Sequence, residues 1–194
     1  MKIGVLALQG AFIEHIHTLK RLGVEAVEVR TADELKSLDG LIIPGGESTT
    51  MLKLARHYHL MKPLQSFASQ GKPVMGTCAG MILLAKTVVD SDMQTLCLMD
   101  VGVRRNAFGR QVDSFETDLA VPELGQEKFH AVFIRAPYIE HVGEGVETLA
   151  RLEDGTVVAV RQKNLLALAF HPELGHDTRL HQYFVNMVKE SRQS

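Results

Sequence analysis

Cysteine is scarce in this 194-residue chain: Cys78 and Cys97 are the whole supply, which gives no disulfide framework. Neither sign of charge dominates. Against 23 acidic residues stand 21 basic ones, a net charge of −2, so the overall balance favours neither nucleic acid nor an anionic membrane as a partner. Long hydrophobic runs are missing too. The apolar start, residues 3–8, is too short for a membrane-spanning helix, and no cleavage-site pattern follows it. Low-complexity tracts, long linkers and internal repeats are absent, which leaves no boundary to divide the chain. The expectation is a single domain over 1–194 in a cytoplasmic protein with reduced thiols; 45% apolar residues suffice for a substantial core.

What is present alternates. Residues 2–8 form an unbroken apolar run, as a strand buried on both faces of a parallel sheet requires. Residues 11–22 carry Phe12, Ile16, Leu19 and Leu22 at helical spacing, and Gly23 ends them. A short helix capped by Thr31 or Asp33 follows a strand at 24–29. Strands at 41–43 and 72–76 then alternate with helices at 48–55, 61–70 and 79–85. Such alternation with short connections means right-handed crossovers and an open parallel sheet.

The second half reads differently. Strands are predicted over 115–121, 131–135, 148–152 and 157–161, with Asp154-Gly155 as a hairpin turn. A buried strand at 165–170 and a helix at 178–189 close the chain. The fold class is therefore α/β, an open and mostly parallel sheet flanked by helices, with some antiparallel strands in the C-terminal half. Ligands of such sheets bind beyond the carboxyl ends of the strands. Three segments lie there: after Ile43, after Met75 and after Phe170.

Gly76-Thr77-Cys78-Ala79-Gly80 joins an apolar strand to a helix, in the small-x-nucleophile-x-small arrangement of a nucleophile elbow. The turn is tight, and glycines let neighbouring backbone pass the raised side chain. The helix start behind Cys78 favours the thiolate, and the Ala79 N–H faces any oxyanion formed on the attacked carbonyl. Cys97 lacks this context and reads as a small buried residue.

A thiol nucleophile that releases an amine needs a proton carrier near neutral pH, which points to histidine. His15, His17, His57, His59 and His181 fall in helical segments and read as surface or packing residues. His171 instead follows a buried strand, with Glu173 two residues later across Pro172. In extended backbone such neighbours project to the same side, so Glu173 can fix the tautomer and orientation of the imidazole. His171, Glu173 and His176 match no zinc spacing, and no metal is expected.

Pro44-Gly45-Gly46-Glu47-Ser48-Thr49-Thr50 connects strand to helix, with Ser48 placed to cap the helix. Glu47 stands where a phosphate-binding loop would carry lysine, which argues against polyphosphate. The turn suits a ligand with an ammonium group, or N–H groups that serve as a second oxyanion donor. Residues 104–111 concentrate Arg104, Arg105 and Arg110, and Arg135 follows a strand. Either segment provides a guanidinium for a substrate carboxylate, or a solvated surface.

These elements together resemble the class I, triad-type glutamine amidotransferases. Within that class the chain is similar, over essentially its whole length, to the glutaminase subunits of pyridoxal 5′-phosphate synthases. The cysteine elbow and His171-Pro172-Glu173 carry the wider likeness. The narrower one rests on residues 8–12, on 45–50, on Arg104-Arg105-Asn106 with Phe108-Gly109, and on 133–137. The resemblance implies a flavodoxin-like fold, Cys78 as nucleophile, His171 as general base and acid, and Glu173 as its orienter. It implies a glutamine pocket lined by Gly46, Glu47, Ser48, Arg105, Ile134 and Arg135, with Gly46 and Ala79 as oxyanion donors. It also implies that the ammonia acceptor is a separate (β/α)₈ synthase subunit, with Gln9 and Gly10 near that interface, and that no cofactor is needed.

The reaction so expected is hydrolysis of L-glutamine to glutamate and ammonia through a γ-glutamyl thioester. Two other readings stay open at this level. One is a different intracellular cysteine hydrolase acting on peptide or γ-glutamyl substrates; the other is a catalytically silent binding module.

Overall fold

The computed structural model describes residues 1–89, 91–105 and 114–193. Its N-terminal half runs β1 (Lys2–Leu6), α1 (Phe12–Arg21), β2 (Glu25–Val29), α2 (Ala32–Leu35) and β3 (Gly40–Ile43). It continues through α3 (Ser48–His57), α4 (Met61–Ser69), β4 (Val74–Thr77), α5 (Ala79–Leu84) and β5 (Ala85–Val88). The C-terminal half holds β6 (Met99–Arg104), β7 (Ser114–Leu119), β8 (Phe129–Ile134) and β9 (Tyr138–Val142). The last elements are β10 (Glu147–Arg151), β11 (Val157–Gln162), β12 (Leu165–Leu168) and α6 (Arg179–Ser191).

Five parallel strands stand in the order β2-β1-β3-β4-β12. Counted along the chain, that is the 2-1-3-4-5 order of flavodoxin-like sheets. Every residue of β3, β4 and β12 is buried, which is why these strands are continuous apolar runs without alternation. Beyond β12 the same sheet turns antiparallel through β11, β9 and β6, and β5 ends it parallel to β6. The hairpin from β10 to β11 turns at Gly155, whose φ is +88°. Strands β7 and β8 form a separate antiparallel pair.

The longer helices bury one stripe each, whereas α5 is buried on every side. On α1 the stripe comprises His15, Ile16, Thr18 and Leu19; on α6 it includes Leu180, His181, Phe184 and Val188. The buried apolar side chains of all these layers form one contiguous cluster.

Three strands depart from the sequence reading. The helix after Cys78 stops at Leu84, because Ala85 turns to ψ 148° and opens β5. Strand β6 was not predicted, although Met99, Val101 and Val103 alternate with Asp100, Gly102 and Arg104. Strand β9 mixes Ile139 and Val142 with Glu140 and His141, and it is defined by pairing with β6 rather than by its own pattern.

Candidate active site

Strands β4 and β12 pair side by side, with Thr77 opposite Leu168. Cys78 leaves β4 at once and its N–H donates to the Leu168 carbonyl at 2.8 Å. His171 lies just past β12, where its N–H donates to the Val132 carbonyl of β8 at 2.8 Å. Strand β3, on the other flank of β4, delivers the Gly45-Gly46 turn. Three neighbouring strand ends thus converge, and the β7–β8 pair is fastened beside them.

Cys78 has φ 49° and ψ −105°, a conformation that side chains rarely adopt. The surroundings enforce it. A Cβ at Gly80 would meet the Ile43 carbonyl oxygen at 1.9 Å, so helix and strand approach too closely for any side chain there. The Cys78 Sγ lies 3.8 Å from the Ile134 carbonyl oxygen.

His171 Nδ1 and Glu173 Oε1 are 2.7 Å apart, and both residues are buried. Burial pulls the imidazole down, but Cys78 and Glu173 outweigh it and push His171 up to about 10. Burial alone would raise the Glu173 carboxyl, yet its hydrogen bond to His171 and the charge of that imidazolium hold it below the usual carboxylate range. At neutral pH the pair is therefore an imidazolium against a carboxylate.

A cavity of about 500 Å³ opens over Cys78. It brings together Gly46, Glu47, Ser48, Ala79, Arg105, Ile134, Arg135 and His171; Glu173 stands behind the imidazole. Arg105 donates from Nη1 to Thr49 Oγ1 at 3.3 Å. Arg104 faces away into an ion pair with Glu140, and residues 106–111 of the arginine-rich run lie outside the described residues. Gln9 Oε1 accepts from the Glu47 N–H at 2.8 Å, and the Ala11 N–H donates to Gly45 O at 3.0 Å. Gln9 and Gly10 thereby brace the turn that walls the cavity.

Several details correct the sequence reading. The cap of α3 is Glu47, not Ser48: its carboxylate accepts from the N–H groups of Thr49 and Thr50. A bond from the Thr50 hydroxyl and these N–H groups hold Glu47 down at about 2. Ser48 becomes the first helical residue, its side chain freed from capping. Cys97 is exposed rather than buried and lines no part of this cavity. Gly45 was not among the expected site residues, although it sits beside Gly46 in the same turn. Of the surface-or-packing alternatives for His15 and His181, the structure takes packing: both are wholly buried, on the side of Glu173 away from His171. For His15 the signal was available, because it falls between Phe12 and Leu19 on the apolar stripe of α1. Among the described residues no cluster of three or more His, Cys, Asp or Glu is arranged to hold a metal ion, and no helix is long and apolar enough to cross a membrane.

A cysteine at a strand–helix elbow beside a buried His–Glu pair is the constellation that triad-type cysteine hydrolases use. Comparison with known proteins narrows the class. The model of the SNO glutamine amidotransferase family matches residues 5–190, and the chain belongs to that family. It is 62% identical to the pyridoxal 5′-phosphate synthase subunit PdxT of Dehalococcoides mccartyi, over 98% of both chains. It is 58% identical to the PdxT of Moorella thermoacetica, over 97% of this chain and 100% of that one. A crystal structure described as a glutamine amidotransferase superposes with a TM-score of 0.91 at 52% identity, over 96% of this chain and 98% of that one. The structure of PurLQS from Thermotoga maritima shares the fold, with a TM-score of 0.73 at 18% identity; the match covers 95% of this chain and 97% of that one.

Proposed function

We propose that this chain is the glutaminase subunit of a pyridoxal 5′-phosphate synthase. It hydrolyses L-glutamine to glutamate and hands the ammonia to a synthase subunit for vitamin B6 biosynthesis. The carrying observation is the adjacency of Cys78 and the His171–Glu173 pair at neighbouring strand ends under one cavity.

The sulfur of Cys78, its proton resident on His171, attacks the side-chain carboxamide carbon. Backbone N–H groups of Gly46 and Ala79 hold the resulting oxyanion. His171 then gives its proton to the departing nitrogen; the C–N bond breaks, ammonia leaves, and a γ-glutamyl thioester remains on Cys78. The neutral imidazole takes a proton from water, whose oxygen attacks the thioester. Glutamate leaves and the thiolate–imidazolium pair is restored. Glu173 keeps Nδ1 of His171 protonated throughout, so that Nε2 is the working nitrogen. Arg105 and Arg135 line the cavity where they can pair with the substrate α-carboxylate, and Glu47 and Ser48 complete the wall.

The ammonia acceptor is a (β/α)₈ synthase subunit that docks beside Gln9 and Gly10. Ile134 and Leu174, both exposed apolar side chains at the cavity, offer such a partner a contact. One continuous core supports reading 1–194 as a single glutaminase domain, and two free cysteines suit a reducing cytoplasm.

The test is glutamate release from L-glutamine, for the chain alone and with the synthase subunit, with Cys78→Ala as the blank. Release that depends on Cys78 and rises with the synthase is the expected outcome. Equal release by Cys78→Ala would overturn the nucleophile. Faster cleavage of γ-glutamyl peptides than of glutamine would overturn the substrate.

A further inference from the structure

Behind the triad lies a row of buried titratable groups that the reaction steps above leave unused. His15 on α1 and His181 on α6 both have no solvent exposure. His15 Nδ1 is 2.9 Å from His181 Nε2. On its other side, His15 Nε2 is 3.2 Å from Thr77 Oγ1 and 3.3 Å from Glu173 Oε2. The Glu173 carboxylate therefore lies between two imidazoles, hydrogen-bonded to His171 at Oε1 and approached by His15 at Oε2. Oε2 has no hydrogen-bond partner among the described residues; the His15 ring comes near it while bonded to Thr77 Oγ1.

The protons in this row can be assigned by elimination. If His15 carried its proton on Nδ1, its Nε2 lone pair would face a carboxylate oxygen. His181 would then accept at Nε2 and hold its own proton on Nδ1, which has no partner among the described residues. A buried N–H without an acceptor costs a large part of a hydrogen bond. With the proton on Nε2 of both rings, His181 donates to His15 Nδ1, His15 donates towards Glu173 Oε2 and Thr77 Oγ1, and no N–H is stranded.

We propose that His15 is a positioning residue of the glutaminase, whose Nε2–H anchors Glu173 Oε2 so that Oε1 stays fixed on His171, with His181 locking the tautomer. The proposal rests on the triad reading given above. Its chemistry requires a neutral His15, because an imidazolium there would draw the carboxylate charge away from His171. Burial holds His15 below its ordinary range, and the His171 charge adds to this, against the pull of Glu173 and Glu14. Burial likewise takes His181 down to about 3, with His15 and Arg21 adding and Glu173 opposing.

Two measurements test it. The first is the kinetics of His15→Leu and His15→Gln in the complex with the synthase subunit. His15→Leu should lower kcat about tenfold or more with KM within about twofold, since a lost outer partner disturbs the catalytic group and not the pocket. It should also move the alkaline limb of the kcat/KM profile to lower pH, because a loosened Glu173 supports the His171 imidazolium less well. His15→Gln, which keeps an N–H near the Nε2 position, should restore most of kcat. Unchanged kcat and an unmoved limb in His15→Leu would overturn the proposal, as would a glutamine variant no better than the leucine one. The second measurement needs no variant: nitrogen-15 NMR of histidine-labelled wild-type protein at neutral pH. Neutral Nε2–H tautomers at His15 and His181 are expected; an Nδ1–H or doubly protonated His15 would overturn the proposal even if His15→Leu failed to fold. Failure of the triad reading looks different, because Cys78→Ala would then remain active.

Discussion

Gly45 and His171 are packed so closely that a Cβ on the glycine would stand 2.3 Å from Cε1 of the imidazole and 3.3 Å from Cβ of Cys78. The absence of a side chain at Gly45 is thus what lets the imidazole lie against Cys78. Gly45→Ala should displace the imidazole by a sizeable fraction of an ångström, and a misplacement of that order costs about 100-fold in rate. The check is synthase-stimulated glutamate release alongside a thermal melt. Full activity in Gly45→Ala would show that the imidazole has room to move.

Gly80 fails differently. Its added Cβ would strike the Ile43 carbonyl, which is backbone and cannot swing aside. Gly80→Ala should therefore destabilise the whole fold, by roughly 1–3 kcal/mol or more on the scale of overpacked cores. Urea unfolding measures this directly, and the loss should exceed that of Gly45→Ala.

Glu47 is the cap of α3, and its carboxylate is held down at about 2 by the Thr50 hydroxyl and the N–H groups of Thr49 and Thr50. Glu47→Ala should cost about 1 kcal/mol, the usual worth of a cap. A carboxyl depressed in the folded state stabilises above its ordinary value of 4.5 and loses that contribution as pH falls towards 2. Melting temperatures of wild type and Glu47→Ala should accordingly converge in strong acid and separate near neutrality.

Buried His181 has the same acid sensitivity for the opposite reason. Between pH 6.5 and about 3 the unfolded chain binds a proton there that the folded chain refuses. Stability falls as pH falls through that window, with a loss on the order of 3 kcal/mol by pH 4. His15 acts in the same direction. His171 acts at the other end: its contribution is complete below 6.5 and is lost as pH rises through about 10. Urea unfolding at pH 4, 7 and 10 should give a maximum near neutrality, with a shallower acid limb in His181→Gln.

Gln9 holds the Glu47 N–H from outside the cavity. Gln9→Ala should leave the melting temperature nearly unchanged and weaken the synthase complex about tenfold, roughly the worth of one well-placed interface contact. Titration calorimetry against the synthase subunit decides it; undiminished affinity would move the interface elsewhere.

Much of this protein was written locally. Strands β3, β4 and β12 are apolar runs because both of their faces are covered, and that signal needs no neighbour to be read. The glycines around Cys78 were equally legible, since an elbow is a local geometry; His171 and Glu173 do meet, but through a 3-10 turn at Pro172–Leu174 and not through the extended backbone expected of them. Asp154-Gly155 announced the β10–β11 hairpin for the same reason. Strand β9 was not legible, because its polar residues are tolerated only through pairing with β6 and β11.

Residue type, period and spacing are local quantities, so the sequence by itself determined which side chains could do the chemistry and which segments would be core. Only the tertiary structure decided where they meet. Strand pairing is non-local: it set β4 beside β12 and so Cys78 beside His171, and it carried Ile134 and Arg135, at the end of β8, to the cavity. Packing of α1 and α6 on one side of that sheet turned His15 from a residue on an apolar stripe into a neighbour of Glu173, a contact that no helical period can specify.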